Sequence, residues 1–518
     1  MSAASDAAAL AAPLDHRAER MERALLVAAT LFGAATFWLA PRLPMADLPQ
    51  HAGQVALWRD LILGVSPFAG DVWINLFTPY LVGYGAALPL AFVMEPGEAL
   101  RVILALSFVA FVAAGRGLRR ELGADPRVDW LFLFGFFGVG WSWGLYTFLV
   151  AAPVTLWMIR LAVRFDARPD MRRALALVGA GLALLFCHGL QFVFAVAIGA
   201  AIVSEHALRV ANAQGLRAGV MTGLRRCGPS TALTLAFAAF MILRAALLGQ
   251  QEASPSVFGA PVWERPMNAL TFIWSADPQF AFAALTLAAI VASLRMNLAP
   301  ARGPGMAMFL CVIAIELFCV SIAMNTGFIY KRFALYLIPF WALCLKPTGA
   351  RRSPRFAHVA LILCACAGLG LHAWRVAAFA RNDRGFDRIL AAIKPGERAL
   401  GLVYERADED VGNAYLYLHW PVWAQSTRGA FVDFNFAHFH PQVVRFRPGK
   451  TPPVLEFENA EPERLDWTGW RAASYDVFIT RGTLAQKTEY LLARSPCRLE
   501  EAANAGEWTL YRKTACGS

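Results

Sequence analysis

Asp47 and His51 lie four residues apart in the segment Asp47-Leu48-Pro49-Gln50-His51, directly after the first long apolar run of the chain. An aspartate held there could act as a general base toward a hydroxyl group, and His51 could bind the substrate. Ionisable residues at a membrane boundary are costly to keep and mark functional sites. The alternative is that Asp47 only caps the following helix, because aspartate before a helix accepts a backbone N–H bond.

Lys331 and Arg332 are adjacent cations in front of a late apolar run. Such a pair could bind a phosphate, with Arg332 making a bidentate contact and Lys331 acting as a point charge. The alternative is that both side chains extend to lipid headgroups.

His188 and Gln191 close another apolar run and could contact a substrate at its end. A lone histidine on an apolar helix is alternatively a hydrogen-bonded core residue. Trp141, Trp143 and Tyr146 form an aromatic turn, which is either a membrane-interface belt or a surface on which a sugar stacks.

The composition places the chain among polytopic membrane proteins. Of its 518 residues 58% are hydrophobic and 16% are charged, whereas soluble proteins average roughly 25% charged residues. The net charge is +10 over residues 1–374 and +1 over residues 375–518. Because the basic excess lies in short loops between apolar runs, it indicates cytoplasmic loops and a lipid bilayer partner, and it excludes a nucleic-acid partner.

Apolar runs long enough to cross a membrane predict about eleven spans. They lie near residues 24–42, 98–114, 129–142, 144–162, 174–191, 192–208, 230–248, 279–294, 306–323, 333–346 and 356–374. The tail 1–23 is predicted to be cytoplasmic, and residues 24–374 form the transmembrane domain.

The basic loops alternate correctly only if residues 43–97 form one external loop. Residues 77–94 are apolar as well, but Pro79 and Pro89 favour a broken helix that does not cross the membrane. An amphipathic pattern around residues 55–62 predicts an interfacial helix.

From residue 385 onward the apolar runs shorten to strand length. They predict strands at 399–404, 430–434 and 475–480 and a terminal hairpin at 497–513, in an extracytoplasmic α/β domain spanning residues 385–518. Cys497 and Cys516 flank that hairpin and either form a disulfide or are two unrelated thiols.

Four features of the chain together resemble the GT-C superfamily of integral-membrane glycosyltransferases: Asp47, the Tyr80-containing stretch 75–90, the stretch 331–340 that starts at Lys331-Arg332, and the strand-like segment 475–482. Asp47 matches the catalytic acid of that family's first external loop. The resemblance implies an α-helical polytopic fold with a C-terminal α/β domain.

The resemblance further implies inverting transfer of a sugar from a polyprenyl-phosphate donor to a glycan, lipid or protein acceptor at the outer face of the inner (cytoplasmic) membrane. Asp47 would deprotonate the acceptor, and Lys331 with Arg332 would hold the donor phosphate. His51, Tyr80, His188 and Gln191 would complete the substrate site. The competing class is a non-catalytic membrane protein, either a degenerate GT-C scaffold or a transport or assembly partner in envelope polysaccharide export.

We expect no cofactor and no metal site. Many GT-C enzymes carry a second acid in the second external loop, but the turn from Gly138 to Phe148 contains neither Asp nor Glu. A divalent metal is the alternative. His419 with His438 and His440 could bind one, although this set lacks the spacing of a recognised site.

The charge pattern predicts a cytoplasmic N-terminus and an external C-terminus. A reporter that is active only outside the cytoplasm should be active when fused after Ser518 and silent when fused at Gly123. Activity at Gly123 would mean that residues 77–94 cross the membrane.

Overall fold

The computed structural model describes residues 16–249, 255–275, 277, 279–324, 326–349, 355–451, 460–467 and 471–516. Most of the predicted cytoplasmic tail, residues 1–15, lies outside this part of the chain. The described residues form a helical membrane domain followed by a smaller α/β domain.

Besides 3-10 segments, the single turns Val139–Ser142 and Leu484–Lys487 and the π-helical segment Thr488–Leu492, the described residues contain these helices: α1 His16–Ala35, α2 Leu48–Leu63, α3 Leu81–Ala91, α4 Pro96–Leu122, α5 Tyr146–Ala167, α6 Met171–Cys187, α7 Gly189–Gln214, α8 Leu216–Arg226, α9 Gly228–Leu248, α10 Arg265–Phe272, α11 Phe280–Arg295, α12 Pro304–Phe318, α13 Ile329–Arg332, α14 Ala334–Cys344, α15 Arg355–Asn382, α16 Phe386–Ala391 and α17 Trp423–Arg428. Within the described part, α4, α5, α7, α9 and α15 are long and apolar enough to cross a membrane. The number of eleven spans stays a prediction.

The strands are β1 Val72–Ile74, β2 Leu298–Pro300, β3 Leu345–Pro347, β4 Arg398–Val403, β5 Phe431–Asp433, β6 Val444–Phe446, β7 Val477–Arg481, β8 Cys497–Ala505 and β9 Trp508–Cys516. In the C-terminal domain five of them form a sheet of order β5-β4-β7-β9-β8. Strands β5, β4 and β7 are parallel, and β9 and β8 are antiparallel. The predicted strands and terminal hairpin are therefore confirmed, and Cys497 is disulfide-bonded to Cys516 across that hairpin.

The predicted helical span 129–142 is wrong in conformation. A 3-10 helix over Pro126–Leu133 is followed by irregular chain and a single turn at Val139–Ser142, and residues 128–142 are all buried. Gly135 has φ +95° and lies against the backbone of Leu335, so a regular helix is excluded there. Non-helical backbone at membrane depth is tolerated only where protein surrounds it, and these residues meet that condition.

This segment joins the two ends of the bundle. Near its start, Asp129 pairs with Arg116 and Arg119 at the C-terminal end of α4. At its other end the carbonyl of Ser142 accepts hydrogen bonds from Ala46 N–H and from the side-chain amide of Asn413. The segment therefore delivers the residues after Ser142 to the neighbourhood of Asp47.

The predicted external loop 43–97 packs against the C-terminal domain. Strand β1 of the loop pairs antiparallel with β6 of the domain. In α2 the residues from Leu48 to Trp58 are buried, so the prediction of an interfacial helix over 55–62 is wrong for residues 55–58, whereas residues 59–62 are half-buried or exposed. Helix α3 has 11 residues, about 16 Å, which is shorter than a span. The sequence prediction of a non-crossing segment agrees with this length.

Candidate functional site

The backbone around Asp47 is fixed by a two-residue pairing with the turn that follows the irregular segment. Ala46 N–H donates to Ser142 O at 3.2 Å, and Asp47 N–H donates to Trp143 O at 2.9 Å. Gly144 follows with φ +74°, and a Cβ there would stand 2.9 Å from the amide nitrogen of Asp47. Only glycine combines that backbone conformation with such a close approach.

Asp47 occupies the position before α2, but its side chain makes no capping hydrogen bond. The capping interpretation is therefore wrong for this side chain. Its side chain is 16% exposed, and its Oδ1 lies 3.5 Å from Nε2 of His419 in the C-terminal domain. The side chain of Asp47 is thus mostly surrounded by protein groups but keeps some exposed surface.

Arg332 lies in the same site and interacts electrostatically with Asp47 and Tyr80. Its side chain is buried, and its Nε finds no hydrogen-bond partner among the described residues. Burial lowers the pKa of Arg332, while Tyr80 and Asp47 act in the opposite direction. Because a guanidinium stays protonated in proteins, Arg332 presents a buried positive charge with unused donor capacity.

Arg244, on the last turns of α9, interacts electrostatically with the phenol of Tyr80, as Arg332 does. It was not predicted as a site residue. Its Nε is also buried without a hydrogen-bond partner in the described part of the chain. Arg445 and His440 of the C-terminal domain lie within electrostatic range of Arg244. The sequence did hold a signal, since an arginine at the predicted outer end of a span departs from the positive-inside pattern as Lys331-Arg332 does.

His51 and His188 complete the group of predicted residues that the structure brings together. His51 Nδ1 lies 2.6 Å from the hydroxyl of Tyr84, which in turn donates to Gln442 Oε1 at 2.7 Å. Burial lowers the pKa of His51 to about 3, with His419 and Arg332 contributing, so His51 is neutral near pH 7. His188 packs against Tyr80 with ring centroids 5.2 Å apart.

Gln191 and Lys331 are not directed at this group. Gln191 is fully buried, accepts from Thr155 and Tyr336, and donates to Phe148 O. It therefore ties core helices together in place of the predicted substrate contact. Lys331 lies over the rings of Phe272 and Phe328 and interacts with Asp277. The two adjacent cations thus face different surroundings, which corrects the prediction that they act as a pair.

Among the described residues, no group of three or more His, Cys, Asp or Glu side chains has the proximity of a metal site. The three histidines suggested as ligands have different neighbours. His419 faces Asp47, His438 stacks on Phe434, and His440 lies near Arg445. The proposed histidine metal site is therefore not formed.

The chain was compared with known proteins by sequence and by structure. By sequence, no protein-family model and no curated protein matches it. By structure, it is similar to ArnT from Cupriavidus metallidurans bound to undecaprenyl phosphate, with a TM-score of 0.55, 13% identity, and coverage of 94% of this chain and 97% of ArnT. The apo form of ArnT gives a TM-score of 0.50 at 12% identity, covering 95% of this chain and 98% of that one.

The chain has the GT-C fold. The chain is also similar to the arabinofuranosyltransferase AftD from Mycobacteria, with a TM-score of 0.51 and 16% identity, covering 96% of this chain and 40% of AftD. The α-helical membrane domain with a C-terminal α/β domain, predicted from sequence, is thus confirmed.

Gly144→Ala should displace Asp47 without removing any polar group from the site. Forcing φ +74° on alanine costs roughly 1–2 kcal/mol, and the clash with the backbone of Asp47 and Leu48 adds roughly 1–3 kcal/mol. Gly123→Ala is the matched control, because Gly123 has φ +64° with nothing within 4 Å of an added Cβ. Thermal unfolding of the purified variants measures the difference. Equal losses in both would show that Gly144 does not support Asp47 by close packing.

Proposed function

We propose that this protein is a membrane glycosyltransferase that moves a sugar from a polyprenyl-phosphate donor to an acceptor hydroxyl. One observation carries the proposal: a partly exposed carboxylate and a buried guanidinium with an unpartnered Nε occupy a single site. A base and an anion site are the two elements that such a transfer requires. The fold shared with ArnT, whose structure contains undecaprenyl phosphate, supports the same donor class.

In the proposed reaction Asp47 accepts the proton of the acceptor hydroxyl as its oxygen attacks the anomeric carbon of the donor sugar. The bond between that carbon and the phosphate oxygen breaks, and the electron pair leaves with the phosphate. Attack on the face opposite to the leaving group inverts the anomeric configuration. Arg332 and Arg244, which both approach Tyr80, are placed to stabilise the charge that develops on the phosphate.

Burial strengthens this stabilisation. An arginine that has already lost most of its water gains more from an incoming phosphate than an exposed one, because the effective dielectric constant around it is low. The two guanidinium groups supply the positive charge that a divalent cation provides in other enzymes. We therefore propose a metal-independent mechanism, in which the phosphate leaving group needs no further activation.

We place the reaction at the outer face of the inner (cytoplasmic) membrane. The positive-inside pattern puts residues 43–97 and the C-terminal domain on that side, and the structure packs these two regions together around Asp47. A lipid donor would enter from the bilayer, and a glycan, lipid or protein acceptor would approach from the side of the C-terminal domain.

Asp47→Asn should reduce sugar transfer by roughly 100-fold or more, because it removes the proton acceptor while keeping the shape of the side chain. Transfer is measured with purified protein in liposomes that contain polyprenyl-phosphate sugars. Asp60→Asn is the control, since Asp60 lies on the same helix and pairs with Arg59 outside the site. Near-full activity of Asp47→Asn would contradict catalysis by Asp47 and favour a non-catalytic GT-C scaffold.

Arg332→Ala and Arg244→Ala should each weaken donor binding by about 10- to 100-fold, the loss expected for a hydrogen bond to a charged group. Lys331→Ala should leave donor affinity unchanged, because that side chain is directed at Asp277, Phe272 and Phe328. Titration of each variant with a polyprenyl phosphate measures these affinities. A larger loss for Lys331→Ala than for Arg332→Ala would contradict the assignment of the phosphate site.

A further inference from the structure

The side-chain amide of Gln50 has only one orientation that satisfies its neighbours. Phe436 N–H donates to Gln50 Oε1 at 2.9 Å, and Gln50 Nε2 donates to Phe434 O at 2.8 Å. A backbone N–H can only donate and a backbone carbonyl can only accept. The oxygen and nitrogen of this amide are therefore assigned by the backbone of the C-terminal domain, and a flipped amide would lose both bonds.

This orientation fixes the tautomer of His419. The second hydrogen of Gln50 Nε2 points at His419 Nδ1, 3.3 Å away, so Nδ1 is the acceptor of that bond. A neutral imidazole that accepts at Nδ1 carries its proton on Nε2. Burial lowers the pKa of His419 to about 3, so the ring is neutral near pH 7. Its Nε2–H faces Oδ1 of Asp47 at 3.5 Å.

We propose that His419 is a positioning residue that donates its Nε2–H to Asp47, so that the C-terminal domain completes the catalytic site. This inference rests on the proposed function, in which Asp47 is the base. The separation of 3.5 Å is long for a hydrogen bond, and catalytic contacts are often long before substrate binds and shorten in the complex. The donated proton orients the lone pairs of the carboxylate and favours its ionised form.

The same geometry excludes a role for His419 as the base itself. Its Nε2 carries the proton, and its Nδ1 is occupied by Gln50. Protonation to the imidazolium is opposed by burial. The proton of the acceptor hydroxyl therefore goes to Asp47, and His419 acts through Asp47.

Other charged and titratable groups near Asp47 also affect its protonation. Arg332 of α13 favours the ionised form of Asp47. Tyr84 of α3 is neutral near pH 7, because burial, with a contribution from the negative charge of Asp47, raises its pKa well above the ordinary value. His51 of α2 is neutral. Loss of the His419 donor should therefore raise the pKa of Asp47 but leave it stabilised by Arg332. The acid limb of the rate profile should move to higher pH without disappearing.

The test compares His419→Ala, His419→Gln and the control His438→Ala in the full-length protein reconstituted in liposomes. His438 stacks on Phe434 and lies in the same segment of the domain, so its removal disturbs the packing without removing the donor that faces Asp47. For His419→Ala we expect kcat to fall about 10- to 100-fold with little change in KM. The acid limb of kcat should shift to higher pH.

His419→Gln should restore most of the activity and the wild-type acid limb, because its amide N–H can take the place of Nε2–H. An unshifted acid limb in His419→Ala, or an equal shift in His438→Ala or in His419→Gln, would overturn the donor role.

A second measurement does not depend on turnover. Infrared titration of the Asp47 carboxyl band, identified by its absence in Asp47→Asn, should give a higher pKa in His419→Ala than in wild type. An unchanged pKa would overturn the inference even if the protein transfers no sugar. Failure of the proposed function is seen separately, as full activity of Asp47→Asn. If His419→Ala does not fold, His419→Phe carries the same comparison, because it keeps a ring at this position but has no N–H donor.

Discussion

The pairing of Ala46-Asp47 with Ser142-Trp143 is the contact on which the site depends. Two backbone hydrogen bonds and the close approach of Gly144 fix the backbone of Ala46 and Asp47, from which the carboxylate projects. The irregular chain between α4 and α5 exists at a cost, because each of its buried polar groups needs a partner. This irregular chain provides the turn at Ser142 and Trp143, whose carbonyl groups accept the hydrogen bonds from Ala46 and Asp47.

A second set of contacts makes the C-terminal domain part of the site rather than an appendage. Side-chain amides of the first loop satisfy backbone groups of the domain: Gln50 bridges Phe434 and Phe436, and Gln54 accepts from Val444 N–H. Each such bond contributes about 1 kcal/mol, but leaving a buried partner unsatisfied costs about 1–3 kcal/mol. The main effect of these amides is therefore to fix the register, that is, how the first loop is aligned against the C-terminal domain, and their contribution to stability is secondary. Register is what brings His419 to Asp47.

Local patterns in the sequence were enough to predict much of the molecule. Apolar runs gave most of the long helices, short alternating runs gave the strands, and cysteine spacing suggested the disulfide. The structure brings five of the predicted residues near one another, because in the sequence they stand at or near the ends of apolar runs on one predicted side of the membrane: Asp47, His51, Tyr80, His188 and Arg332. The fold thus follows from hydropathy and from charge placement.

What the sequence could not supply were contacts that depend on long-range packing or on backbone geometry. The run 129–142 has the hydropathy of a span, but its glycines and their contacts with other segments impose a different conformation. His419 lies far from Asp47 along the chain, and no local pattern links them. Lys331 and Arg332 follow each other on a helix turn, where successive side chains diverge by about 100°. Because of this divergence, helical geometry disfavours a shared ligand for Lys331 and Arg332.

The division of the site between residues 47 and 419 has a consequence for biosynthesis. At about 5–20 residues per second, roughly 20–75 s of translation separate these two positions. During that interval β1 lacks its partner strand β6, and the amides of Gln50 and Gln54 lack their bonds to the domain. The first loop therefore lacks these contacts until the C-terminal domain has been synthesised. The candidate site is therefore complete only after the C-terminal domain has been made, so a chain truncated before residue 419 lacks the contact between His419 and Asp47.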